Sequence, residues 1–219
     1  MKESGKRKIL SGLVFVAVFA IFTWLVQVVD VKPLGINGTD IGFSTFNCMF
    51  QKLSGVNMTL YTITDWAGLV PIFVAASFGM VGFVQLIKRK SLIKVDTDIL
   101  ILGVYYIIVI TLYIVFEMIP INYRPILING FMEASYPSST TLLVLGVMPT
   151  LIEQICRRCK ATALNATITI LTIGFSVFMV VGRLISGVHW FTDILGSVII
   201  SVGLFHLYKG FVLMFSKKV

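Results

Sequence analysis

Apolar residues fill six long stretches of the chain, and shorter polar connections separate them. Each stretch is long enough for a helix to cross about 30 Å of hydrocarbon. The strict alternation of polar and apolar residues that membrane β-strands require is missing. The pattern therefore predicts an all-α integral membrane protein, a bundle of six transmembrane helices. The predicted spans are approximately Ile9–Val29, Trp66–Ile87, Ile99–Ile119, Ser138–Cys156, Ala161–Val181 and Ile194–Phe215.

The fourth predicted span is the least apolar of the six, because it begins with a run of hydroxyl residues and also carries Glu153. Hydroxyl side chains in a membrane helix typically hydrogen-bond to neighbouring helices. We therefore expect this span to pack in the interior of the bundle.

The connection of about residues 30–65 has an apolar pattern of its own. Apolar residues recur there at steps of three and four, which predicts a short amphipathic helix at the membrane interface. Two interpretations stay open, a lid packed on the bundle and a gate for lipid entry. No linker or repeat divides the chain, so residues 1–219 are predicted to form a single membrane domain. The residues of the apolar pattern are Phe43, Phe46, Met49, Phe50 and Leu53.

The composition and the charge agree with a membrane protein, since 57% of the residues are hydrophobic, 13% are charged and the net charge is +8. Of the 18 lysines and arginines, all but four fall on one side of the predicted topology. Basic residues are enriched in cytoplasmic loops, so both termini are predicted to be cytoplasmic. The basic charge thus indicates topology and not nucleic-acid binding. The four exceptions are Lys32, Lys52, Arg124 and Arg183.

The three cysteines make no disulfide framework. Cys156 and Cys159 have the C-x-x-C spacing, but no second pair or nearby histidine completes a metal site. The sequence therefore predicts neither a bound metal nor a cofactor.

Charged residues gather in the connection between the fifth and sixth predicted spans. His189 and Asp193 are four residues apart, so a helix that begins here places both side chains on one face. The carboxylate can then hold the imidazole in one tautomer. Arg183, six residues before His189, carries a planar guanidinium that suits a phosphate. These residue types can transfer a phosphoryl group through a histidine nucleophile.

The predicted topology brings other polar residues to the same face of the membrane. Glu117 lies near the end of the third span, Arg124 lies in the loop that follows, and Ser138 starts the fourth span. Pro137 suits the first turn of a helix, whose free backbone N–H groups can bind an anion. Ser138 could add a hydroxyl, and Arg124 and Arg183 would neutralise a phosphate. We therefore expect separate loops to form one anion site on the outer face.

These residues also carry a resemblance to a known family. Arg183-x5-His189-x3-Asp193 resembles the third signature of the type 2 phosphatidic acid phosphatase superfamily, and the surroundings of Trp190 and Gly196 are similar too. The run Tyr136-Pro137-Ser138-Ser139-Thr140 resembles the second signature, Pro-Ser-Gly-His. Arg124-Pro125 resembles the end of the first signature, Lys-x6-Arg-Pro. The resemblance covers most of residues 100–200, with the core signatures within about 117–196.

The resemblance implies a bundle of membrane helices that removes phosphate from lipid phosphates or diphosphates without a metal. His189 would be the nucleophile that forms a phosphohistidine, and Asp193 would orient it. The residues that would bind the phosphate are Arg124, Ser138, Ser139 and Arg183.

Four positions depart from these signatures: Ser139 replaces a glycine, Gly182 replaces a serine, and two further replacements affect the chemistry. Glu117 stands where the first signature has its lysine, so a carboxylate replaces a cation. Thr140 stands where the second signature has the histidine that, in the family, protonates the leaving oxygen. A hydroxyl is far too weak an acid for that role. Three explanations stay open: a good leaving group such as that of a lipid diphosphate, a replacement acid at Glu117 or Glu133, or binding without hydrolysis.

The sequence therefore predicts a lipid phosphate or diphosphate phosphatase in a prokaryotic inner (plasma) membrane, with its site on the extracytoplasmic side. One alternative is a phosphotransferase that hands the phosphoryl group to another acceptor. Another is a non-catalytic lipid-phosphate binder or transporter on the same scaffold. The predicted partners are a phosphorylated lipid and the membrane lipids, with no nucleic acid, and a homo-oligomer is compatible with the sequence.

Overall fold

The computed structural model describes residues 2–216 of the 219-residue chain. Lys217 and Lys218, which contribute to the predicted topology, lie outside the described residues. Within the described part, β pairing is limited to isolated bridges, and short 3-10 turns lie at Ile36–Gly38 and Leu92–Lys94. The α-helices of this part are α1 (Lys2–Val28), α2 (Ser44–Ser54), α3 (Met58–Ala67), α4 (Leu69–Arg89), α5 (Thr97–Met118), α6 (Ser139–Arg158), α7 (Thr162–Ile185) and α8 (Phe191–Phe215).

Six helical segments of the described chain are long and apolar enough to cross a membrane. Five of them are α1, α5, α6, α7 and α8, and the remaining one consists of α3 and α4 together. The predicted all-α fold with six spans is thus confirmed. Among these segments α6 is the most buried inside the protein, as its hydroxyl residues predict.

The second span differs from the prediction at its start. It begins at Met58 rather than at Trp66, because the Asn57 side chain accepts a hydrogen bond of 2.9 Å from the Leu60 amide and caps α3. Gly68 then joins α3 to α4. The polar residues of α3 hide this helix from a hydropathy pattern, since Thr64 is buried against α7 and Asp65 lines an internal cavity.

The predicted amphipathic helix is α2, and it packs on the start of α8. The rings of Phe46 and Phe50 contact the ring of Phe191, with centroid distances of 5.1 and 5.3 Å. The Asn47 side chain donates a hydrogen bond of 3.0 Å to the Thr192 hydroxyl. These contacts agree with the lid interpretation of this segment.

Glycines bring α1 and α8 into close backbone contact. A Cβ added to Gly12 would lie 2.9 Å from the Gly203 carbonyl oxygen, and one added to Gly210 would lie 3.0 Å from that of Gly5. Small residues that let backbones approach are a typical means of helix packing in membranes. The two helices run antiparallel, so the start of α1 and the end of α8 lie at the same end of the bundle.

Charged side chains join the helices at this end. Asp98, at the start of α5, is buried and lies 2.8 Å from Arg158 at the end of α6. Glu153 of α6 lies 2.9 Å from Lys209 of α8. A buried charge is costly without a partner. These pairs therefore fix how α5, α6 and α8 meet.

At the opposite end, Tyr136 anchors the segment that leads into α6. Its ring stacks on that of Phe19 at a centroid distance of 6.2 Å, and its hydroxyl is 2.8 Å from that of Thr23. A Cβ added to Gly196 would lie 2.7 Å from the Tyr136 ring, so a side chain there would displace it. Tyr136 thus holds the start of α6 against α1 and α8.

Candidate functional site

The turn that carries His189 is held in place by the loop before α3. The Asn57 amide donates a hydrogen bond of 2.9 Å to the Ser186 carbonyl. Gly187 has φ of +69°, and a Cβ there would lie 1.8 Å from the Gly55 carbonyl oxygen. Only glycine permits both this backbone conformation and this approach. The local sequence between α7 and α8 thereby fixes the position of the imidazole.

His189 and Asp193 form a buried pair. Nδ1 of His189 lies 3.5 Å from Oδ2 of Asp193, and the two side chains are 1% and 0% exposed. The same carboxylate oxygen accepts a hydrogen bond of 2.8 Å from the Trp190 amide. Asp193 lies in the first turn of α8, where the helix dipole favours a negative charge. Because Nδ1 faces the carboxylate, Nε2 is the ring nitrogen left for a ligand.

The surroundings of His189 keep its imidazole neutral. Burial lowers the pKa of the imidazole well below its ordinary value, and the positive charges of Arg124 and Arg183 lower this pKa further. The Ser135 backbone carbonyl acts in the opposite direction. A neutral imidazole has a free lone pair, so it can act as a nucleophile without first losing a proton.

Arg183 is buried at the end of α7. Its Nη2 lies 3.1 Å from an Asp65 carboxylate oxygen and donates a hydrogen bond of 2.6 Å to the Thr140 hydroxyl. The guanidinium carbon lies 4.8 Å from the centroid of the Tyr61 ring. The side chain therefore connects α7 with α3 and with the start of α6.

Arg124 reaches the same ring from the loop between α5 and α6. Its Nε lies 3.1 Å from a Glu133 carboxylate oxygen, and its guanidinium carbon lies 5.7 Å from the centroid of the Tyr61 ring. One aromatic ring thus contacts both Arg124 and Arg183. Two cations held close together repel each other, and an anion that contacts both would offset that repulsion.

Each arginine also has a buried donor without a hydrogen-bond partner among the described residues, namely Nη1 of Arg124 and Nε of Arg183. The two side chains are 6% and 1% exposed. A buried donor without a partner costs about 1–3 kcal/mol. The site therefore favours a ligand with several acceptor oxygens, such as a phosphate.

A cavity of about 670 Å³ lies beside the arginines, between the α3–α4 span, α5 and α6. Leucine, isoleucine and valine side chains of α4, α5 and α6 line its apolar part. An amphiphile with a phosphate group and a hydrocarbon chain would match both parts. The charged residues that line the polar part are Asp65, Glu117, Arg124, Glu133 and Arg183.

The hydroxyl residues at the start of α6 take two different positions. Ser139 and Thr140 line the cavity. Ser138 is buried, and its amide donates a hydrogen bond of 3.1 Å to the Asp193 carbonyl. The Ser138 hydroxyl donates a hydrogen bond of 3.1 Å to that of Thr141. Ser138 therefore joins the starts of α6 and α8 and does not face the cavity.

The imidazole of His189 is close to the cavity without lining it, and the residue is 2% exposed. Arg124 and Arg183 both line the cavity and act electrostatically on the imidazole. The arginines therefore connect the cavity to the buried pair of His189 and Asp193. Reaction of a phosphate bound to the arginines with the imidazole would require the imidazole to become accessible to it.

Polar residues of two further segments belong to the site, and the sequence pattern did not predict them. Tyr61 and Asp65 of α3 contact the arginines, and Asn122 and Ser135 of the loop before α6 interact with Asp193. An acidic residue at the edge of an apolar run points to a functional site, so Asp65 could have been found. No local sequence pattern marks Tyr61, because its partners Arg124 and Arg183 lie far from it in the sequence.

Cys48, Cys156 and Cys159 are free thiols in the structure. Among residues 2–216, no three histidine, cysteine, aspartate or glutamate side chains are grouped as the ligands of a metal ion would be.

The fold is that of a helical membrane protein, and two buried arginines lie beside a cavity at one end of its bundle. Comparison with solved structures matches it to the crystal structure of a transmembrane PAP2-type phosphatidylglycerolphosphate phosphatase from Bacillus subtilis. The TM-score is 0.66 and the identity is 17%, over 94% of this chain and 98% of that chain. No family model and no curated protein sequence matches. The chain therefore has the fold of that transmembrane protein.

Proposed function

We propose that this protein is a lipid phosphate or diphosphate phosphatase of the type 2 phosphatidic acid phosphatase superfamily, with His189 as its nucleophile. The observation that carries the proposal is the pair of buried guanidinium groups over the Tyr61 ring, next to a buried neutral imidazole. The cavity supports a lipid substrate, because it is polar at the arginines and apolar elsewhere. The likeness to a phosphatidylglycerolphosphate phosphatase supports the same reaction class.

In the first step, Nε2 of His189 attacks the terminal phosphorus of the lipid, and the bond from that phosphorus to the bridging oxygen breaks. The new nitrogen–phosphorus bond places a positive charge on the ring, which the Asp193 carboxylate offsets. Arg124 and Arg183 bind the non-bridging oxygens and stabilise the charge of the transition state. The released oxygen takes a proton from water or from a cavity acid.

In the second step, a water molecule attacks the phosphorus of the phosphohistidine. The nitrogen–phosphorus bond breaks, inorganic phosphate leaves, and the neutral imidazole of His189 is restored. The proton that this water gives up balances the one taken by the lipid oxygen. The net reaction is hydrolysis of one phosphate ester or anhydride bond.

The leaving oxygen has no histidine beside it, since Thr140 occupies that position and its hydroxyl is bound by Arg183 at 2.6 Å. When the terminal phosphorus of a lipid diphosphate is attacked, the leaving group is the lipid monophosphate, which is stable without protonation. We therefore propose that diphosphates react faster than monophosphates. Glu117 and Glu133 line the same cavity and are the candidate acids for monophosphates.

The test is phosphate release from labelled lipid monophosphates and diphosphates by the purified protein without added metal. His189→Ala should abolish release and also the acid-labile phosphate trapped on the protein. His206→Gln is the matched control, because His206 is the other histidine of the chain and contacts Ser11, in the half of the bundle away from the site. Phosphate release that survives His189→Ala would contradict the proposal.

A second variant tests the account of the leaving group. Thr140→His restores the acid of the second signature and should raise turnover of monophosphates by about 10²–10⁴-fold, the usual effect of a general acid. Diphosphates should gain much less, and Thr140→Ser should gain nothing. Equal effects on both substrates would contradict the leaving-group account.

A non-catalytic lipid-phosphate binder is the second candidate function, and the position of His189 outside the cavity lining favours it. A binder would hold lipid phosphate through the arginines without releasing phosphate or forming phosphohistidine. Phosphohistidine that passes its phosphoryl group to an acceptor other than water would instead identify a phosphotransferase.

We also propose that the site faces the extracytoplasmic side of a plasma membrane. The support is the distribution of basic residues, because Arg89, Arg158 and Lys209 belong to the end of the bundle away from the site.

A further inference from the structure

A second cavity lies between α4 and α5, in the half of the bundle away from Arg124 and Arg183. Its volume is about 440 Å³, and its lining is apolar except for Tyr106, whose hydroxyl is bound to that of Thr150 at 2.7 Å. Nothing lies within 4 Å of a Cβ added to Gly79 or Gly103, which both line it. The two glycines therefore leave an open apolar groove between the helices, which we call the α4–α5 groove.

The connection between α4 and α5 borders one end of this groove, and it is basic. Leu92 and Val95 of the connection line the groove. Lys88, Lys90 and Lys94 flank them and are exposed, and none of the three lysines forms an ion pair with another described residue. Three ammonium groups without partners thus lie at the end of an apolar groove.

The acidic residues near these lysines are already engaged. Asp96 lies 2.7 Å from Arg89 and accepts a hydrogen bond of 2.8 Å from the Gln85 side chain. Asp98 is buried and lies 2.8 Å from Arg158. Arginines therefore bind both carboxylates, and the lysines are left for a ligand from outside the protein.

A phospholipid matches this groove better than a helix of a second protein does. A helix with its side chains is about 10–12 Å across, so each of its turns needs about 400–600 Å³ and the groove would hold about one turn. A hydrocarbon chain is thinner, and it would bury apolar surface along the whole groove. Lysines at a membrane surface attract anionic headgroups. The apolar lining and the lysines together therefore select an anionic lipid.

We infer that the α4–α5 groove is a binding site for an anionic phospholipid of the leaflet at this end of the bundle. One acyl chain lies along Gly79 and Gly103, and the negatively charged headgroup contacts the lysines of the connection. Among the described residues, neither a histidine nor an arginine lines the groove, so this lipid is a ligand and not a substrate. The inference does not depend on the proposed reaction.

Quenching of tryptophan fluorescence by brominated lipids tests the inference. Phe83 lines the groove and is exposed, so Phe83→Trp places a reporter there. Trp24→Phe and Trp66→Phe remove the exposed native tryptophans, and Trp190 stays as an internal reference because it is 4% exposed. The full-length protein is reconstituted in vesicles of one part phosphatidylserine and four parts phosphatidylcholine. The bromine is carried by the chains of one lipid or of the other.

We expect phosphatidylserine to be enriched at the reporter by about fivefold or more over its share of the vesicle, the effect of one lysine near an anionic headgroup. This enrichment should fall at high salt, since salt screens exposed charges. Quenching by the two lipids in proportion to their shares would overturn the inference. Quenching that begins only when the protein is diluted in lipid would show that a second copy covers the groove, which would also overturn it.

Replacing the three lysines tests the contact with the headgroup. The combined variant Lys88→Gln, Lys90→Gln and Lys94→Gln should abolish the enrichment. The matched control replaces three lysines at the start of α1, which removes the same charge from the same end of the bundle and should leave the enrichment unchanged. Enrichment that survives the first variant, or that is lost in the control, would contradict the inference. The lysines of the control are Lys2, Lys6 and Lys8.

A variant that keeps every charge tests the contact with the acyl chain. Gly103→Leu fills the groove and should remove the enrichment at the reporter. Gly174→Leu in α7 is the control, since nothing lies within 4 Å of an added Cβ there either. Unchanged enrichment in Gly103→Leu would mean that the lysines attract lipid only at the surface, and the groove would not be the site. If the lysine variant fails to fold, the wild-type preference and Gly103→Leu decide.

Discussion

Tyr61 shows how one side chain organises residues from distant segments. Its ring centroid lies 4.8 Å from the guanidinium carbon of Arg183 and 5.7 Å from that of Arg124. A cation over an aromatic face gains about 0.5–2 kcal/mol, depending on how far it is desolvated. The ring therefore helps to keep both arginines beside the cavity despite their mutual repulsion.

Replacing this ring should weaken phosphate binding. We predict that Tyr61→Leu lowers kcat/KM by about 2- to 30-fold, which is the lost cation–π energy converted at about 1.4 kcal/mol per factor of ten. Tyr61→Phe keeps the aromatic face and should retain most of the activity. The measurement is the rate of phosphate release as a function of lipid concentration. An equal loss in both variants would assign the effect to the hydroxyl group instead.

The buried imidazole should give an unusual dependence of activity on pH. Burial and the two arginines lower the pKa of His189. As pH falls, the imidazole therefore stays neutral through the range near 6.5, in which an ordinary histidine takes up a proton. We predict that kcat/KM shows no loss from His189 in that range and that its acid limb lies at lower pH. A fall centred near the ordinary histidine value would contradict this prediction.

The same prediction has a direct readout by NMR. Arg124→Gln removes one of the positive charges that lower the pKa of His189, so that pKa should rise and the imidazole should titrate at higher pH. In a His206→Gln background, His189 is the remaining histidine of the two, so its signal needs no further assignment. Lys52→Gln removes an exposed charge and should leave the titration unchanged.

At the scale of helices, hydropathy identifies lipid-facing segments more reliably than it identifies the segments that form the site. It placed the third to sixth spans within four residues of their observed bounds, whereas it began the first at Ile9 rather than Lys2. It missed most of α3, because Tyr61, Thr64 and Asp65 make that helix too polar for an apolar window. The Tyr61 carbonyl and the side chains of Thr64 and Asp65 accept hydrogen bonds from Arg183. The contacts that make α3 part of the site thus conceal it in the sequence.

Contacts within the site are likewise of two kinds, those between residues close in sequence and those between distant segments. The pairing of His189 with Asp193 follows from a spacing of four residues, which a sequence displays. The pairing of Asp65 with Arg183 spans 118 residues and depends on how α3 packs against α7. A single sequence does not contain that information. The Ser138 hydroxyl was expected at the phosphate, whereas the backbone contact with Asp193 turns this residue into the bundle.

The glycine contact between α1 and α8 leads to a prediction about stability. In Gly12→Val, the new Cβ would lie 2.9 Å from the Gly203 carbonyl oxygen and 2.7 Å from Cγ of Leu207. Overpacking of this kind costs about 1–3 kcal/mol, so the Tm in detergent should fall. Gly174→Val in α7 is the control, since nothing lies within 4 Å of an added Cβ there. Equal Tm values for the two variants would show that the close contact is unimportant.

At the scale of the whole molecule, the two ends of the bundle differ in their chemistry. One end holds ion pairs among helix termini, such as Asp98 with Arg158 at 2.8 Å and Glu153 with Lys209 at 2.9 Å. The other end holds the arginines of the anion site, with the cavity extending from them along the helices. A lipid phosphate would therefore bind with its headgroup at one membrane surface and its chain in the hydrocarbon. The side of the membrane then decides which leaflet supplies the substrate.

The predicted orientation can be measured by cysteine labelling in intact cells. In a chain whose three native cysteines are replaced by serine, Phe131→Cys and Ile93→Cys each introduce one thiol, at sites that are 72% and 94% exposed. Phe131 lies in the loop that carries Arg124, and Ile93 lies between α4 and α5 at the opposite end. Because basic residues favour the cytoplasmic side, a membrane-impermeant maleimide should label Phe131→Cys in intact cells and Ile93→Cys after lysis. The reverse pattern would place the arginines on the cytoplasmic side, so a lipid phosphate would reach them from the inner leaflet.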